Sequence, residues 1–260
     1  MIEYKTILTQ SPQDDRDFIG DFIYSSETVP PKTLDLRTKL QPIRNQGSQG
    51  SCVAQSACAM KEYQEKIDIN NDEHLSPQFI YNLRESNSGE GEGGYGMYGR
   101  DLMRILTKYG VCLESEYRYG TIQKSQTLLN NSDLLTKAKN HVIKSYSRIN
   151  TIDALKKALF VNGPCVICFP VYNHGPKMWK RENPDQKMTG GHAMSVVGYT
   201  KDRFIIRNSW GTNWGNHGYC YYDFSEWGSH WEIWSTVDEK SIEPKRPPKV
   251  NIKKLIACCK

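Results

Sequence analysis

The chain has 260 residues, 38% hydrophobic and 11% aromatic, enough to close one large domain or two lobes around a real core rather than stay disordered. Its net charge of +5 sits in residues 241–260, which hold six of the 34 basic side chains and one of the 29 acidic ones, so residues 1–240 are balanced. A balanced body argues against nucleic acid as a partner. No run of eighteen apolar residues could span a bilayer, and the opening MIEYKTILTQSPQDD lacks the apolar stretch of an export signal.

Residues 1–31 read as an N-terminal arm ending in VPPK, whose prolines favour an extended linker or lead-in strand. NQGSQGSC follows, and from Cys52 to Ile67 the apolar Val53, Ala57, Met60 and Ile67 fall on one helical face. LSPQFIYNLRE predicts a second helix, with Ser76 as cap and Pro77 in the first turn. A glycine-rich loop, SNSGEGEGGYGMYGR, leads into RDLMRILTKYG, a helix stopped by Gly110; TIDALKKALFVNG repeats that pattern and stops at Gly163. The texture then changes. PCVICFPVY, HAMSVVGYT, DRFIIRNSW, GYCYYDF and WEIWSTV are short, β-branched or aromatic, and separated by turn residues, as strands of an antiparallel sheet or barrel are. The predicted class is α+β, with a mainly helical lobe over residues 45–120, a β lobe over 140–240 and a cleft between them. The Pro/Lys-rich residues 241–260 form a flexible basic tail that could weakly touch an anionic surface.

The chemistry centres on Cys52. A cysteine at a helix start faces unpaired N–H groups and the positive end of the helix dipole, which favours thiolate, and the preceding GSQGS leaves the sulfur accessible. A buried small hydrophobe, the bland reading of a cysteine, suits Cys58 and Cys220 but accounts for neither the glycines nor the helix-start position. A thiolate needs a proton partner. Of six histidines, His192 lies in TGGHAMSVVGY at the entry to a strand, with two glycines beside it that leave room for a ligand. Asn208, in IIRNSWGTNWG, can orient an imidazole through its amide oxygen, and Trp210 can shield that contact from water.

Three of these stretches, NQGSQGSC, GGHAMSVVGY and RNSWGTNWGNHGY, resemble in order the active-site segments of papain-like cysteine proteases, the cathepsins included. LSPQFIYNL, GGYGMYGRDLMRILTKYGV and NGPCVICFPV extend the likeness to about residues 32–238. The resemblance implies a two-lobed papain-like fold and hydrolysis of peptide or protein substrates through a covalent acyl-enzyme. Cys52 would be the nucleophile, His192 the general acid/base, Asn208 its orienting residue and Gln46 an oxyanion-hole donor. Gly50, Ser51, Gly93, Gly94, Cys168, Gly191 and Trp210 would border the substrate, with Gly191 suggesting a roomy pocket; Cys168 is read equally as core. The imidazolium and the helix start together would lower the pKa of the Cys52 thiol. Gln49, Gly91 and Leu83 stand where the family usually has half-cystines, and Val53 where it has Trp. Those losses, with the missing export signal, suit an intracellular reducing compartment or a particle assembled inside a cell.

About thirty residues precede the mature-like start, and they read equally as an inhibitory segment over the cleft or a structural strap. Two further signals carry less. Gly89, Gly91 and Gly94 spell G-x-G-x-x-G, but no strand precedes them and Glu90 and Glu92 would repel phosphate. Cys165 and Cys168 form C-x-x-C on a predicted strand, where odd spacing points them to opposite faces. Cys258 and Cys259 do not fit a prenylation box. No metal or cofactor is expected, and the chain is read as a monomer. The alternatives are a catalytically silent papain-fold binding protein and an acyl or amide transferase using the same Cys-His pair.

Overall fold

The computed structural model describes residues 6, 8–22, 24, 28–84 and 96–238. The Gly93–Gly94 pair, the G-x-G-x-x-G stretch and the basic tail lie outside them. A short strand, β1 (Leu34–Asp35), precedes α1 (Cys52–Ile69), α2 (Pro77–Asn82), α3 (Gly99–Lys108), α4 (Ser125–Leu129) and α5 (Ser132–Ala138). Then come β2 (Ile143–Arg148), α6 (Ile152–Asn162), β3 (Cys165–Val171), β4 (Gly190–Tyr199), β5 (Arg203–Arg207), β6 (Tyr219–Asp223) and β7 (Glu232–Asp238). The helix ends follow local chemistry. The Ser76 hydroxyl accepts from Phe79 N–H with Pro77 in the first turn, and Thr151 caps α6 through Ala154 N–H. Gly110, at φ 73°, ends α3 against the Ala138 carbonyl, where a Cβ would collide.

The strands form one antiparallel sheet in the order β2-β7-β3-β4-β5-β6, with β1 on β4. All five anticipated strands are present. Strand β2 was not anticipated, because IKSYSR carries too few apolar residues; its pairing with β7 decides its state. Strand β3 is buried on both faces and divides the core. Val166 and Cys168 join an apolar cluster with α1, α2 and α3, whereas Cys165, Ile167, Phe169 and Val171 join a second with α6 and the aromatic residues of β5 and β6. The two cysteines of the C-x-x-C stretch thus sit in different cores, as their spacing predicts, and the six described cysteines are free.

Helix α1 lies across β4 and β3, and it is buried from Cys52 to Glu65 apart from Tyr63. Its first turns are small residues that permit close approach; the Ser195 hydroxyl of β4 donates to the Ser56 carbonyl at 3.3 Å. The second half buries charge. Lys61 Nζ meets Glu65 Oε1 at 2.5 Å with both side chains nearly inaccessible, and His141 Nδ1 lies 3.1 Å from Glu65 Oε2. Removing one member of such a pair strands the other in low dielectric. Lys61→Met should therefore cost about 3–5 kcal/mol in urea unfolding, and Lys61→Met with Glu65→Leu should recover most of it.

Candidate active site

Two loops carry the site and are fastened to each other. The Arg207 guanidinium donates to the Gln41 and Pro42 carbonyls at 2.6 and 2.7 Å and holds the approach to the first. Asn45 bridges to Trp210, and Gln46 N–H donates to the Ser209 carbonyl at 2.9 Å. The Gln46 side chain is buried: its Oε1 accepts from the Ser209 hydroxyl at 2.7 Å and its Nε2 donates to the Gln49 carbonyl at 2.8 Å. Tyr119 closes the loop from outside, donating to the Gln46 carbonyl at 2.9 Å and sitting 2.6 Å from the Ser51 hydroxyl. Gly50 and Ser51 are buried beneath this turn, and the Ser51 hydroxyl is directed to Tyr119 rather than into the groove.

Cys52 is the first residue of α1, and the backbone N–H groups of Ala193, Val53 and Cys52 itself face its sulfur. Ala193 directly follows His192 on β4, so the α1–β4 packing brings the two residues together across 140 positions of sequence. His192 Nε2 is 2.7 Å from Asn208 Oδ1, which also accepts from Ser209 N–H at 2.7 Å. That second donor fixes the amide orientation, since an N–H must meet oxygen. Nε2 then carries the proton, leaving Nδ1 with a lone pair; it is buried and has no hydrogen-bond partner among the described residues. Trp210 covers the imidazole, with ring centroids 4.3 Å apart and planes 34° off parallel.

The groove above these residues is occupied by the N-terminal arm. Leu8 N–H donates to the Gly191 carbonyl at 3.1 Å, and Cβ atoms at Gly190 and Gly191 would collide with the Thr6 and Leu8 carbonyls. The room expected beside Gly191 is filled by Leu8 and by the Trp231 ring. Leu8 is 2% exposed, Cys52 1% and His192 0%. Cys168 lies under the same cover, fully buried and paired across the ladder with Ala193.

A match to the papain family cysteine protease model runs over residues 30–232. The chain belongs to the papain family of cysteine proteases. Mouse cathepsin K is 30% identical over 222 residues, covering 79% of this chain and 64% of that protein. Cysteine proteinase COT44 of Brassica napus is 33% identical over 205 residues, covering 73% and 58%. The chain thus spans less than two thirds of these relatives. Among solved structures, xylellain, a cysteine protease from Xylella fastidiosa, superposes with a TM-score of 0.75 at 28% identity, covering 90% of this chain and 96% of that one.

The electrostatics depart from the lowered thiol pKa that the family resemblance implies. Burial pushes the Cys52 thiol up to about 11, against the opposing pull of the Ala193, Val53 and Cys52 N–H groups. Burial likewise pushes His192 down to about 4, with Asn208 opposing and His174 adding to the depression. At neutral pH the covered pair is thiol and imidazole, not an ion pair. The arm removes the water that would solvate the charges. Sequence reasoning missed Ser209, Tyr119 and Arg207, and it offered the arm as a cover or a strap without naming its contacts. Ser209 left a trace, lying beside Asn208; Tyr119 and Arg207 are joined to the site by folding alone.

His230 is held neutral too, pushed down to about 4 by burial and then by Arg148. The unfolded chain binds these two protons near pH 6.5, the folded chain only near 4, so stability falls as pH drops through that window. The urea midpoint should decline between pH 6.5 and 4, and His230→Gln should flatten the decline; an unchanged slope would rule out this source of acid lability.

Proposed function

We propose that the protein is a thiol-dependent peptidase that hydrolyses peptide bonds through an acyl-enzyme on Cys52. The observation that carries this reading is the Asn208–His192 contact, which leaves Nδ1 as the basic nitrogen of the residue directly before Ala193, whose N–H faces a sulfur at a helix N-terminus. With the groove open, water and peptide dipoles return, and the Cys52 proton passes to Nδ1. The thiolate attacks the substrate carbonyl, and the oxyanion meets the Cys52 N–H and the second Nε2 hydrogen of Gln46. The imidazolium then protonates the leaving amine, and water, deprotonated by the same nitrogen, releases the acyl group. Asn208 accepts from Nε2–H throughout and adds no negative charge that would compete with the thiolate.

Thr6 and residues 8–11 act in this reading as an inhibitory cover, and residues 14–22 with Tyr24 as its strap. The strap is held by Arg100, whose guanidinium meets Asp17 through Nε at 2.9 Å and Nη2 at 2.5 Å, by Arg148 N–H donating to the Phe18 carbonyl at 2.7 Å, and by Tyr24 OH, 2.8 Å from the Ser235 hydroxyl. The peptidase unit is assigned to residues 32–240, as a monomer in a reducing compartment. The basic tail is kept as a weak contact for anionic surfaces, and nucleic acid is not assigned as a partner.

Cys52→Ala should abolish both turnover of a peptide library and labelling by a thiol-directed epoxide. Gln46→Ala should lower kcat about a hundredfold while labelling persists. Labelling without any turnover would favour the silent binding protein, and transfer to an added amine in preference to water would favour the transferase. Removing residues 1–13 should raise the rates of Cys52 alkylation and of turnover at pH 7; equal rates with and without them would end the inhibitory reading.

A further inference from the structure

Behind the contact between Asn208 and His192, three buried polar atoms have no partner among the described residues: Asn208 Nδ2, Gln55 Oε1 and Arg44 Nε. Their side chains line one cavity of about 10 Å³, set between the first turns of α1, Ser195 of β4 and the Asn208–Ser209 turn. That volume is the lower end of the room a single water molecule needs. Asn208 is 3% exposed and Gln55 4%. A buried polar group left dry is costly, and three of them converge on one small space.

The other ends of these side chains are already committed. Asn208 Oδ1 takes His192 Nε2 and Ser209 N–H, so only the amide's donors remain. The terminal nitrogens of Arg44 meet Glu114, Glu62 and the Leu75 carbonyl, so Nε–H remains. Tyr119 spends its hydroxyl proton on the Gln46 carbonyl and can only accept from the Gln55 amide that faces it. Gln55 therefore turns its NH₂ to Tyr119 and its oxygen to the cavity. The Ser209 hydroxyl, which also lines the space, donates to Gln46 Oε1 and keeps a lone pair.

Two donors and two acceptors thus face one another across the space of one small molecule. Water accepts twice and donates twice, and it matches that set. An anion would suit Arg44 and the neighbouring Arg207 but would be repelled by the Gln55 oxygen; a cation would be repelled by both guanidiniums. We infer, on the peptidase reading above, that this cavity binds one water molecule and that Gln55 is a positioning residue, holding the Asn208 amide for His192 through it. The water accepts from Asn208 Nδ2 and Arg44 Nε and donates to Gln55 Oε1 and the Ser209 oxygen. Gln55 lies in the first turn of α1, so the helix that presents the Cys52 sulfur also steadies the imidazole that takes its proton.

The test uses the full-length chain. A crystal structure at a resolution that shows internal water should place one water within hydrogen-bond distance of Asn208 Nδ2, Gln55 Oε1 and Arg44 Nε. Gln55→Met keeps the side chain's length and removes its acceptor. It should lower kcat about tenfold, the worth of one hydrogen bond, and leave KM unchanged. In an Asn208→Ala background the same change should lower kcat no further, because its effect passes through Asn208; a general structural loss would recur there. With nitrogen-15 histidine, the Nε2 proton of His192 should exchange with solvent about tenfold faster in Gln55→Met than in the unmodified chain. Gln55→Glu, which still offers an oxygen, should recover most of both losses. A dry cavity, a direct contact between Gln55 Oε1 and Asn208 Nδ2, or an equal loss of kcat in both backgrounds would overturn the inference. Should Gln55→Met fail to fold, the density in the unmodified chain decides. Water in place and faster proton exchange, but no turnover by the unmodified chain, would refute hydrolysis while upholding the support of Asn208; turnover above a dry cavity would overturn the inference alone.

Discussion

The packing of the first turns of α1 against β4 is the constraint on which the rest depends. It puts the Cys52 sulfur against Ala193 N–H and thereby beside His192, joining residues that lie far apart in the chain. Small residues at Ala54, Ser56, Ala57 and Ala59 allow that approach, and β3, buried on both faces, gives α1 a firm surface. The helix leaves no room for solvent along most of its length, so its polar second half had to be paired internally. Lys61, Glu62, Gln64 and Glu65 all find partners across α1, β7 and the flanking loops.

Two effects compete at the sulfur, and their magnitudes decide its state. A helix N-terminus contributes up to about 2 kcal/mol toward an anion in partly buried surroundings. The thiol nevertheless stands at about 11 against an ordinary 9.0, a net shift equivalent to roughly 3 kcal/mol the other way. Desolvation wins while the arm is in place. In the proposed peptidase reading, the dipole and the imidazole would take effect once the arm gives way to water or substrate.

The arm earns its hold on the body from many separate contacts. Main-chain pairing at Leu8, a hydroxyl at Ser11, a guanidinium fork at Asp17, a carboxylate at Asp21 and a phenol at Tyr24 are spread along seventeen residues. Asp21 accepts from Asn150 N–H at 2.9 Å and so ties the arm to the start of α6. Contacts distributed in this way fasten the arm at several separate points of the body.

The sequence by itself determined the helix-start cysteine, the capped helices and the five main strands, because each is written in short-range patterns of spacing, turn residues and glycine; the catalytic roles of Cys52, His192, Asn208 and Gln46 came from the family resemblance of the segments that hold them. It also predicted that Cys165 and Cys168 would face apart, since strand geometry alternates. Only the tertiary structure decided that the charges at Cys52 and His192 are suppressed, that IKSYSR is a strand, that Ser209 and Tyr119 brace Gln46, that Leu8 meets Gly191 and that Ser11 meets Glu232. Burial and cross-chain hydrogen bonding are properties of the assembled neighbourhood, and no local pattern in the 260 residues encodes who the neighbours are.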